Sequence, residues 1–530
     1  MRSVVRVSAL LIVLAMSGLG ARATLAGSPK LSYNSNATIY MTTNADPTFD
    51  TWAPTAFAES DIINKLIFSG VTKWALNGAA EGDLATHWTV SKNKLVWTFY
   101  LRKGVKWQDG KPFTSADVVY TYQDVVLNKS TPTSKASVYS AVSKVKADGP
   151  YKVKFILNTP FSDLPEYLAY YAPVLPKHAL SGSNPFTNTH FNKVHPIGTG
   201  PYIMKKYTPG ESITLVRNPH YFGAEPKIKT IVFKIIPTTT TEVSDLLSGG
   251  LTYINLTDAQ YLPPLIHNPN LTVQKNADQT YYFAMVNTTI SPFKSLKVRK
   301  ALDYAIDKKA MIKALLKGYG KVATGPIAPL QKAYYYSKVA QYPYDPKKAL
   351  ELLKQAGYKK VNGTLEKNGK PFTINFTAGQ IRFLVPASEL IQRYWQALGI
   401  KVNLTVLDWN TYISTVVVKR DYQASFAWWS TPPAPDMDSY YACSAAKAGY
   451  NLSGFCDPTL DKAMNKGRAA IKLSAQQKAY NRVQQLLAEK LPLLYLFYPD
   501  SFNVMTKKLH APHAGYAFAI DDISAWYVTP

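Results

Sequence analysis

Cysteine is scarce in this sequence, and Cys443 and Cys456 are its only two. Both lie far from the N-terminal residues, so the early chain offers no cysteine for lipid attachment. The two cysteines have twelve residues between them and could close a short loop as a disulfide, or remain two small buried thiols. Export from the cytoplasm would favour the disulfide, because oxidising compartments preserve such bonds.

Long hydrophobic runs are also missing, and no later stretch approaches the ~18 apolar residues of a membrane-spanning helix. The nearest is Ala9–Met16, which follows two arginines in the pattern of a cleaved export signal. Small residues suit cleavage after Ala23 or Ala26. We predict that residues 1–26 are a signal peptide, and that the mature protein is soluble, extracytoplasmic or periplasmic, and not a lipoprotein.

Acidic residues are few, with 34 against 60 lysines and arginines, which gives a net charge of +26. Cleavage after Ala23 would remove three arginines and no acid, and would leave +23. Such a charge favours nucleic acid as a partner in a cytosolic protein. Here export argues against nucleic acid, and the lysines are spread along the chain, which indicates a solvated basic surface.

Catalytic motifs are missing as well. The sequence contains no His-Glu-x-x-His and no Gly-x-Ser-x-Gly pattern. Gly198-Thr199-Gly200 lacks the third glycine and the Lys-Ser/Thr of a phosphate loop, and strand-like residues follow it. We therefore predict no enzyme activity, no catalytic residues, no metal and no cofactor.

Local folding signals, by contrast, are clear. Residues 95–101 alternate apolar and less apolar side chains, as a half-buried strand does. The Asp-Gly-Lys-Pro run at 109–112 has turn chemistry, and Thr114 and Asp117 have capping-box spacing before a helix. Asp109 and Asp117 thus have structural roles, and a catalytic pair is not expected there.

Helical and strand-like stretches alternate along the rest of the chain. Asp345-Pro346 begins a helix with one apolar side, and Gly357 ends it. Strand-like runs lie at 213–218, 230–236, 372–376 and 402–407. The pattern predicts an α/β fold without internal repeats or a flexible linker, so any domains must be joined within strands.

Six segments, in order, resemble the extracytoplasmic solute-binding proteins of family 5, the oligopeptide- and dipeptide-binding components of ABC importers. The segments are Leu101–Tyr122, Pro196–Gly223, Pro292–Gly320, Tyr344–Tyr358, Leu398–Tyr412 and Leu491–Tyr498. The resemblance covers nearly all of the mature chain. It implies two lobes joined by a hinge, with an additional domain inserted early in the chain. By this resemblance, the predicted divisions are 27–66, 191–282 and 499–530 for lobe one, 67–190 for the additional domain and 283–498 for lobe two.

The resemblance also implies a ligand site in the cleft. Trp409 and Trp428, with Trp429 beside them, resemble the tryptophans that line it in oligopeptide binders, although ordinary core packing would also explain them. Aromatic faces suit varied side chains or sugar rings. Tyr139 and Tyr495 are further positions that the family places at the cleft.

The sequence departs from the family where an aspartate normally binds the α-ammonium of the peptide. Thr431 stands at that position, and prolines 432, 433 and 435 follow in a loop about two residues longer than usual. The next acids are Asp436 and Asp438. Either Asp436 takes the role, or this protein does not bind a free N-terminus in the usual way.

The resemblance implies a monomeric receptor that closes around a peptide-like ligand and delivers it to a membrane-embedded ABC permease with cytoplasmic ATPase subunits. An oligosaccharide or a metal chelate is the alternative ligand within this class. An exported hydrolase is the alternative from another class, and it would need a catalytic constellation that the sequence does not display.

Overall fold

A computed structural model describes the chain from residue 32 onward. The described residues are 32–47, 49, 52, 58–75, 79–130, 133, 136–170, 173–381, 383–430, 435–448, 450–512 and 519–530. The predicted signal peptide and Thr431 therefore lie outside the described residues. No helix within them is both long and apolar enough to span a membrane.

The strands in these ranges are β1 (Thr38–Thr43), β2 (Thr72–Trp74), β3 (Ala80–Gly82), β4 (Ala85–Val90), β5 (Val96–Leu101), β6 (Val142–Ala147), β7 (Lys152–Leu157), β8 (Tyr202–Thr208), β9 (Ser212–Arg217), β10 (Thr230–Ile235), β11 (Tyr253–Leu256), β12 (Leu271–Ala277), β13 (Thr280–Val286), β14 (Gly320–Val322), β15 (Lys359–Val361), β16 (Thr364–Lys367), β17 (Lys370–Pro371), β18 (Thr373–Gly379), β19 (Lys401–Leu407), β20 (Ala424–Ser430), β21 (Leu493–Thr506), β22 (Leu509–His510) and β23 (Tyr527–Val528).

The α-helices are α1 (Ala58–Ile67), α2 (Ser115–Val119), α3 (Leu164–Tyr170), α4 (Lys177–Leu180), α5 (Thr239–Leu247), α6 (Pro263–Ile266), α7 (Leu296–Tyr304), α8 (Lys308–Leu316), α9 (Pro346–Gln355), α10 (Leu384–Ala397), α11 (Trp409–Tyr412), α12 (Asp438–Tyr441), α13 (Ala445–Ala448), α14 (Pro458–Arg468) and α15 (Leu473–Lys490). Shorter 3-10 or π turns cover Tyr120–Val126, Ala136–Tyr139, Pro185–Thr187, His190–Val194, Ala259–Tyr261, Ile413–Val418 and Ala519–Ala525.

Local sequence signals account for several of these elements. β5 begins one residue later than predicted, and its Trp97, Phe99 and Leu101 are buried in alternation. At α2 the Thr114 and Asp117 side chains form the predicted capping box, which satisfies two backbone N–H groups at the helix start. α9 begins after the Asp345 cap and ends before Gly357, whose φ of 92° suits glycine. All three predictions are confirmed.

Two four-stranded sheets occupy the first half of the chain. One has the order β1-β10-β9-β8, and the other has the order β4-β5-β7-β6. Gly198 and Gly200 pack against the end of α1, where a side chain would collide with backbone: an added Cβ at Gly198 would lie 1.9 Å from the Ile67 carbonyl oxygen. The two glycines of this run therefore permit a close backbone contact with the end of α1.

An eight-stranded sheet forms the centre of the second half, in the order β11-β21-β13-β20-β18-β19, with β12 and β14 also paired to β21. Every residue of β13 is buried. Its side chains alternate between two hydrophobic cores, with Tyr282, Ala284 and Val286 in one and Tyr281, Phe283 and Met285 in the other. A strand covered on both faces explains why its sequence is almost entirely apolar after Thr280.

The long strand β21 changes partners along its length. Its first part, up to Pro499, pairs with β13 and β14. Its second part, from Asp500 onward, pairs with β11 and β12. One strand thus joins β11 and β12 to β13 and β14 within the same sheet. This mixed α/β arrangement confirms the predicted fold class.

Candidate ligand-binding site

The candidate site begins at the C-terminal end of β20, where Trp428 and Trp429 occupy consecutive positions. Because neighbouring side chains on a strand point to opposite faces, the two rings enter different surroundings. Trp428 lies against Tyr282, with ring centroids 6.1 Å apart. Trp429 contacts Tyr440, with ring centroids 5.4 Å apart. Both tryptophans are only half-buried.

Trp409 and Trp428 lie against each other, and the expectation that they line a ligand cleft stays a prediction. Their ring centroids lie 5.5 Å apart with 21° between the planes, and Trp409 also stacks on Tyr412 at 5.3 Å. Gly379 makes room for this stack, because an added Cβ would lie 2.9 Å from the Tyr412 ring. The result is a stack of aromatic rings in which both tryptophans are half-exposed, and such rings suit contact with apolar groups.

Asp436 and Asp438 also lie together, but both face Arg468 near the end of α14. The Asp436 Oδ2 atom is 3.3 Å from the Arg468 Nε atom, and Asp438 accepts a hydrogen bond from Nη1. The Asp436 Oδ1 atom also accepts the Asp438 backbone N–H at 3.1 Å. Two carboxylates therefore share one guanidinium, and this group of three has one surplus negative charge when both carboxylates are ionised.

The charges of this group depend on one another. Burial opposes the charge of Arg468, but Asp436 and Asp438 outweigh that effect and raise the pKa of the guanidinium. Burial, and then the charge of Asp436, raise the pKa of Asp438 to about 7 despite the neighbouring arginine. Asp438 thus stands near its titration midpoint at neutral pH.

Tyr139 and Tyr495 have packing roles in this structure. Tyr139 is buried beside Trp52 and Tyr122, and its hydroxyl donates to the Tyr167 carbonyl oxygen at 3.0 Å. Tyr495 donates to the hydroxyl of Tyr441 at 3.1 Å. It also lines a cavity of about 510 Å³ in the second half of the chain. Ligand contact by either tyrosine stays a prediction.

Sequence reasoning missed the partners of the segment Asp436–Asp438, which we name the acidic loop. Arg468 was not singled out, and neither were Asp163, Glu166 and Tyr167, although the Tyr167 hydroxyl donates to the Asp436 carbonyl oxygen at 3.2 Å. The positions are distant in sequence, and no local pattern links them. A count of charged residues at helix ends would have noted Arg468 in the last turn of α14.

Cys443 and Cys456 are joined by a disulfide, with Cα atoms 4.5 Å apart. The bridge ties the segment after α12 to the start of α14, close to the acidic loop. It encloses a short loop, and on the chain-entropy account such a link stabilises the folded state by on the order of 3 kcal/mol.

We expect the denatured, unreduced protein to contain no free thiols, because the two cysteines form one bridge. Thiol titration in denaturant tests this, with the same sample titrated after reduction as the positive control. A reductant should also lower the melting temperature of the native protein. Two thiols before reduction would contradict the bridge.

Comparison with known families identifies the chain. Residues 79–451, more than half of its length, match the family model of the bacterial extracellular solute-binding proteins, family 5. The chain belongs to this family.

The same relationship extends to individual proteins. The chain is 29% identical to the oligopeptide-binding protein AppA of Bacillus subtilis over 475 residues, which cover 88% of this chain and 86% of AppA. The AppA structure in complex with a nonapeptide matches with a TM-score of 0.82 and 26% identity, over 94% of this chain and all of AppA. NikZ of Campylobacter jejuni, in complex with Ni(L-His), matches with a TM-score of 0.80 and 27% identity, over 93% and 99% of the two chains.

Proposed function

We propose that this protein is the extracytoplasmic receptor of an ABC importer and that it binds a peptide-like ligand in a cleft between two lobes. The observation that carries the proposal is the half-exposed stack of Trp409 on Trp428, which is followed in the sequence by the acidic pair Asp436 and Asp438. An aromatic surface accepts varied side chains, and a surplus carboxylate suits an ammonium group. Membership of the solute-binding family and the similarity to AppA support the same function.

The lobe boundaries predicted from the sequence are part of this proposal. Residues 27–66, 191–282 and 499–530 form lobe one, 67–190 the additional domain and 283–498 lobe two. The change of partners along β21 at Pro499 and Asp500 supports the last boundary. Bending at such crossings would open and close the cleft, and a ligand that contacts both sides would stabilise the closed state.

The partners and location follow from this function. Residues 1–26 direct export and are removed, and the monomeric receptor docks onto a membrane permease whose cytoplasmic subunits hydrolyse ATP. The receptor itself performs no bond cleavage. The site selects a solute through desolvation and hydrogen bonding, and the receptor releases that solute chemically unaltered.

A peptide library titrated calorimetrically into the purified protein tests the function. We expect wild-type protein to bind peptides and return them with unchanged mass. Trp428→Ala should bind about 30-fold more weakly, because truncation of an aromatic anchor removes about 2 kcal/mol of contact energy. Mass spectrometry of ligand released from denatured protein would identify the natural solute.

Trp88→Ala is the matched control for this experiment. Trp88 is a half-buried tryptophan on β4, within the proposed additional domain, and it packs on Phe99 at 5.8 Å. Its removal should leave peptide affinity unchanged. Failure to bind any peptide, or time-dependent cleavage of the library, would contradict the proposed receptor.

A metal chelate is the second candidate ligand. The NikZ complex contains Ni(L-His), and NikZ is 27% identical to this chain. A nickel–histidine titration beside the peptide library, with metal analysis of the released ligand, separates the two candidates.

A further inference from the structure

The acidic loop of lobe two meets the start of α3 from the proposed additional domain. The Ser162 backbone N–H donates to the Arg468 carbonyl oxygen at 2.8 Å. The Gln476 amide donates to the Ser162 hydroxyl and to the Asp163 Oδ1 atom, both at 2.9 Å. The Arg468 guanidinium lies 4.8 Å from the centre of the Phe161 ring. Residues 161–167 and 436–476 thus make direct contacts that need no ligand.

This contact, which we name the acidic junction, gathers Asp163, Asp436 and Asp438 around Arg468, and Glu166 lies close to Asp163. Full ionisation of these four carboxylates would leave a strong excess of negative charge over the single guanidinium. Within the described part of the chain, Asp163 Oδ2, Glu166 Oε2 and Asp438 Oδ1 have no hydrogen-bond partner. Burying ionised oxygens in this way is unfavourable, because each loses its hydration without replacement.

The Tyr480 hydroxyl is a further buried polar group that lies close to these carboxylates. Tyr480 is fully buried, and its hydroxyl also lacks a hydrogen-bond partner among the described residues. Burial raises its pKa well above the usual value, and Asp163, Asp436 and Asp438 add to the effect because they lie close by. The junction therefore holds a neutral donor and several unsatisfied acceptors in one enclosed place.

The charged and titratable groups that face the junction come from both sides. From the proposed additional domain these are Lys94, Asp163, Glu166 and Tyr167, and from lobe two they are Asp436, Asp438, Tyr440, Asp461, Arg468 and Tyr480. Lys94 donates to the Ala469 carbonyl oxygen at 2.9 Å and is the other cation of the set. Acids still outnumber the bases.

We propose that the acidic junction is a proton-linked latch, in which the hydrogen bonds from Gln476 to Ser162 and Asp163 hold the additional domain against lobe two and closure takes up protons. Protein encloses the unpartnered carboxylate oxygens. A proton can neutralise these carboxylates because its uptake requires no additional space. A protonated carboxyl also becomes a donor that can bond to a neighbouring carboxylate. The neutral amide of Gln476 can donate a hydrogen bond to Asp163 whether the Asp163 carboxyl is protonated or ionised.

The direction of the pH dependence follows from the raised pKa values. Burial raises the pKa of Glu166 to about 7. Burial, followed by the charges of Glu166 and Asp436, raises the pKa of Asp163 well above its usual value. Opening the junction exposes these groups and returns them towards the ordinary pKa of about 4. Closure therefore binds protons, is favoured at low pH and is weakened as the pH rises towards 7.

The latch rests on the proposed two-lobed function, but its test uses the ligand-free protein. Spin labels on non-canonical residues at the exposed positions Lys92 and Lys478 report the separation across the junction. We expect the closed-to-open ratio to fall by about tenfold per pH unit for each linked carboxylate between about pH 5 and pH 7. Failure of peptide binding would contradict the receptor function and leave this measurement intact.

Asp163→Asn should weaken the pH dependence and raise the closed fraction at about pH 8 above that of wild type. Asp148→Asn alters an acid of the β6–β7 turn that is paired with Lys152. The label separation in this control variant should depend on pH as it does in wild type. Wild-type label distances that do not change with pH would overturn the latch, and this result does not depend on the folding of any variant. A folded Asp163→Asn protein with wild-type pH dependence would also overturn it.

Discussion

Arg468→Met should lower the free energy of unfolding by about 3–5 kcal/mol at neutral pH, because removing one partner of a buried ion pair leaves charge uncompensated. The Arg468 side chain is 12% exposed, and Asp436 and Asp438 both depend on it. Methionine preserves much of the volume, so the loss would report charge rather than a cavity. Denaturant titration, followed by tryptophan fluorescence and circular dichroism together, measures the change.

Arg482→Met is the matched control. Arg482 lies on α15 and pairs with Glu489, and each side chain is 49% exposed. Such a surface pair contributes about 0–1 kcal/mol, so this variant should resemble wild type. The defect of Arg468→Met should also shrink as the pH falls below about 7, since Asp438 then takes up a proton. Equal losses in both variants, or a loss that grows in acid, would contradict the buried pairing.

The sequence could predict elements whose signals lie within one turn of chain. The Thr114–Asp117 capping box and the Asp345 cap of α9 are of this kind, because donor and acceptor are at most three residues apart. The apolar run of β13 is more demanding, since a strand covered on both faces lacks the alternation that distinguishes strand from helix. Accordingly, no strand is predicted from the sequence at these residues.

The acidic junction could not be predicted in the same way. Asp163 and Gln476 are 313 positions apart, and only the packing of the additional domain on lobe two brings them within hydrogen-bond distance. The pairing of Asp436 with Arg468 is also non-local. Comparison with the family pattern singles out the acids after Thr431, but it gives no reason to look for an arginine. The stacked tryptophans were easier, because the resemblance supplied both positions.

We expect Asp436 to contribute to ligand binding. When Asp438 is ionised, the two aspartates carry one more negative charge than Arg468 balances, and a ligand ammonium would neutralise that surplus. If Asp436 replaces the aspartate that the family places at Thr431, Asp436→Asn should weaken binding of a peptide with a free N-terminus by about 2–5 kcal/mol. Calorimetry at neutral pH, where the terminal amine is largely protonated, measures the loss.

Acetylation of the same peptide separates recognition of the amine from support of the loop. The acetylated peptide has no ammonium, so its affinity should be nearly the same for wild type and Asp436→Asn. Asp421→Asn, which alters an exposed acid of the same proposed lobe, controls for the change in net charge and should leave both affinities unchanged. Because Asp436 also contacts Arg468, an equal loss for both peptides would mean that it only holds the loop in place. Indifference of both peptides would instead favour a neutral ligand, since a buried ammonium without its carboxylate could not retain full affinity.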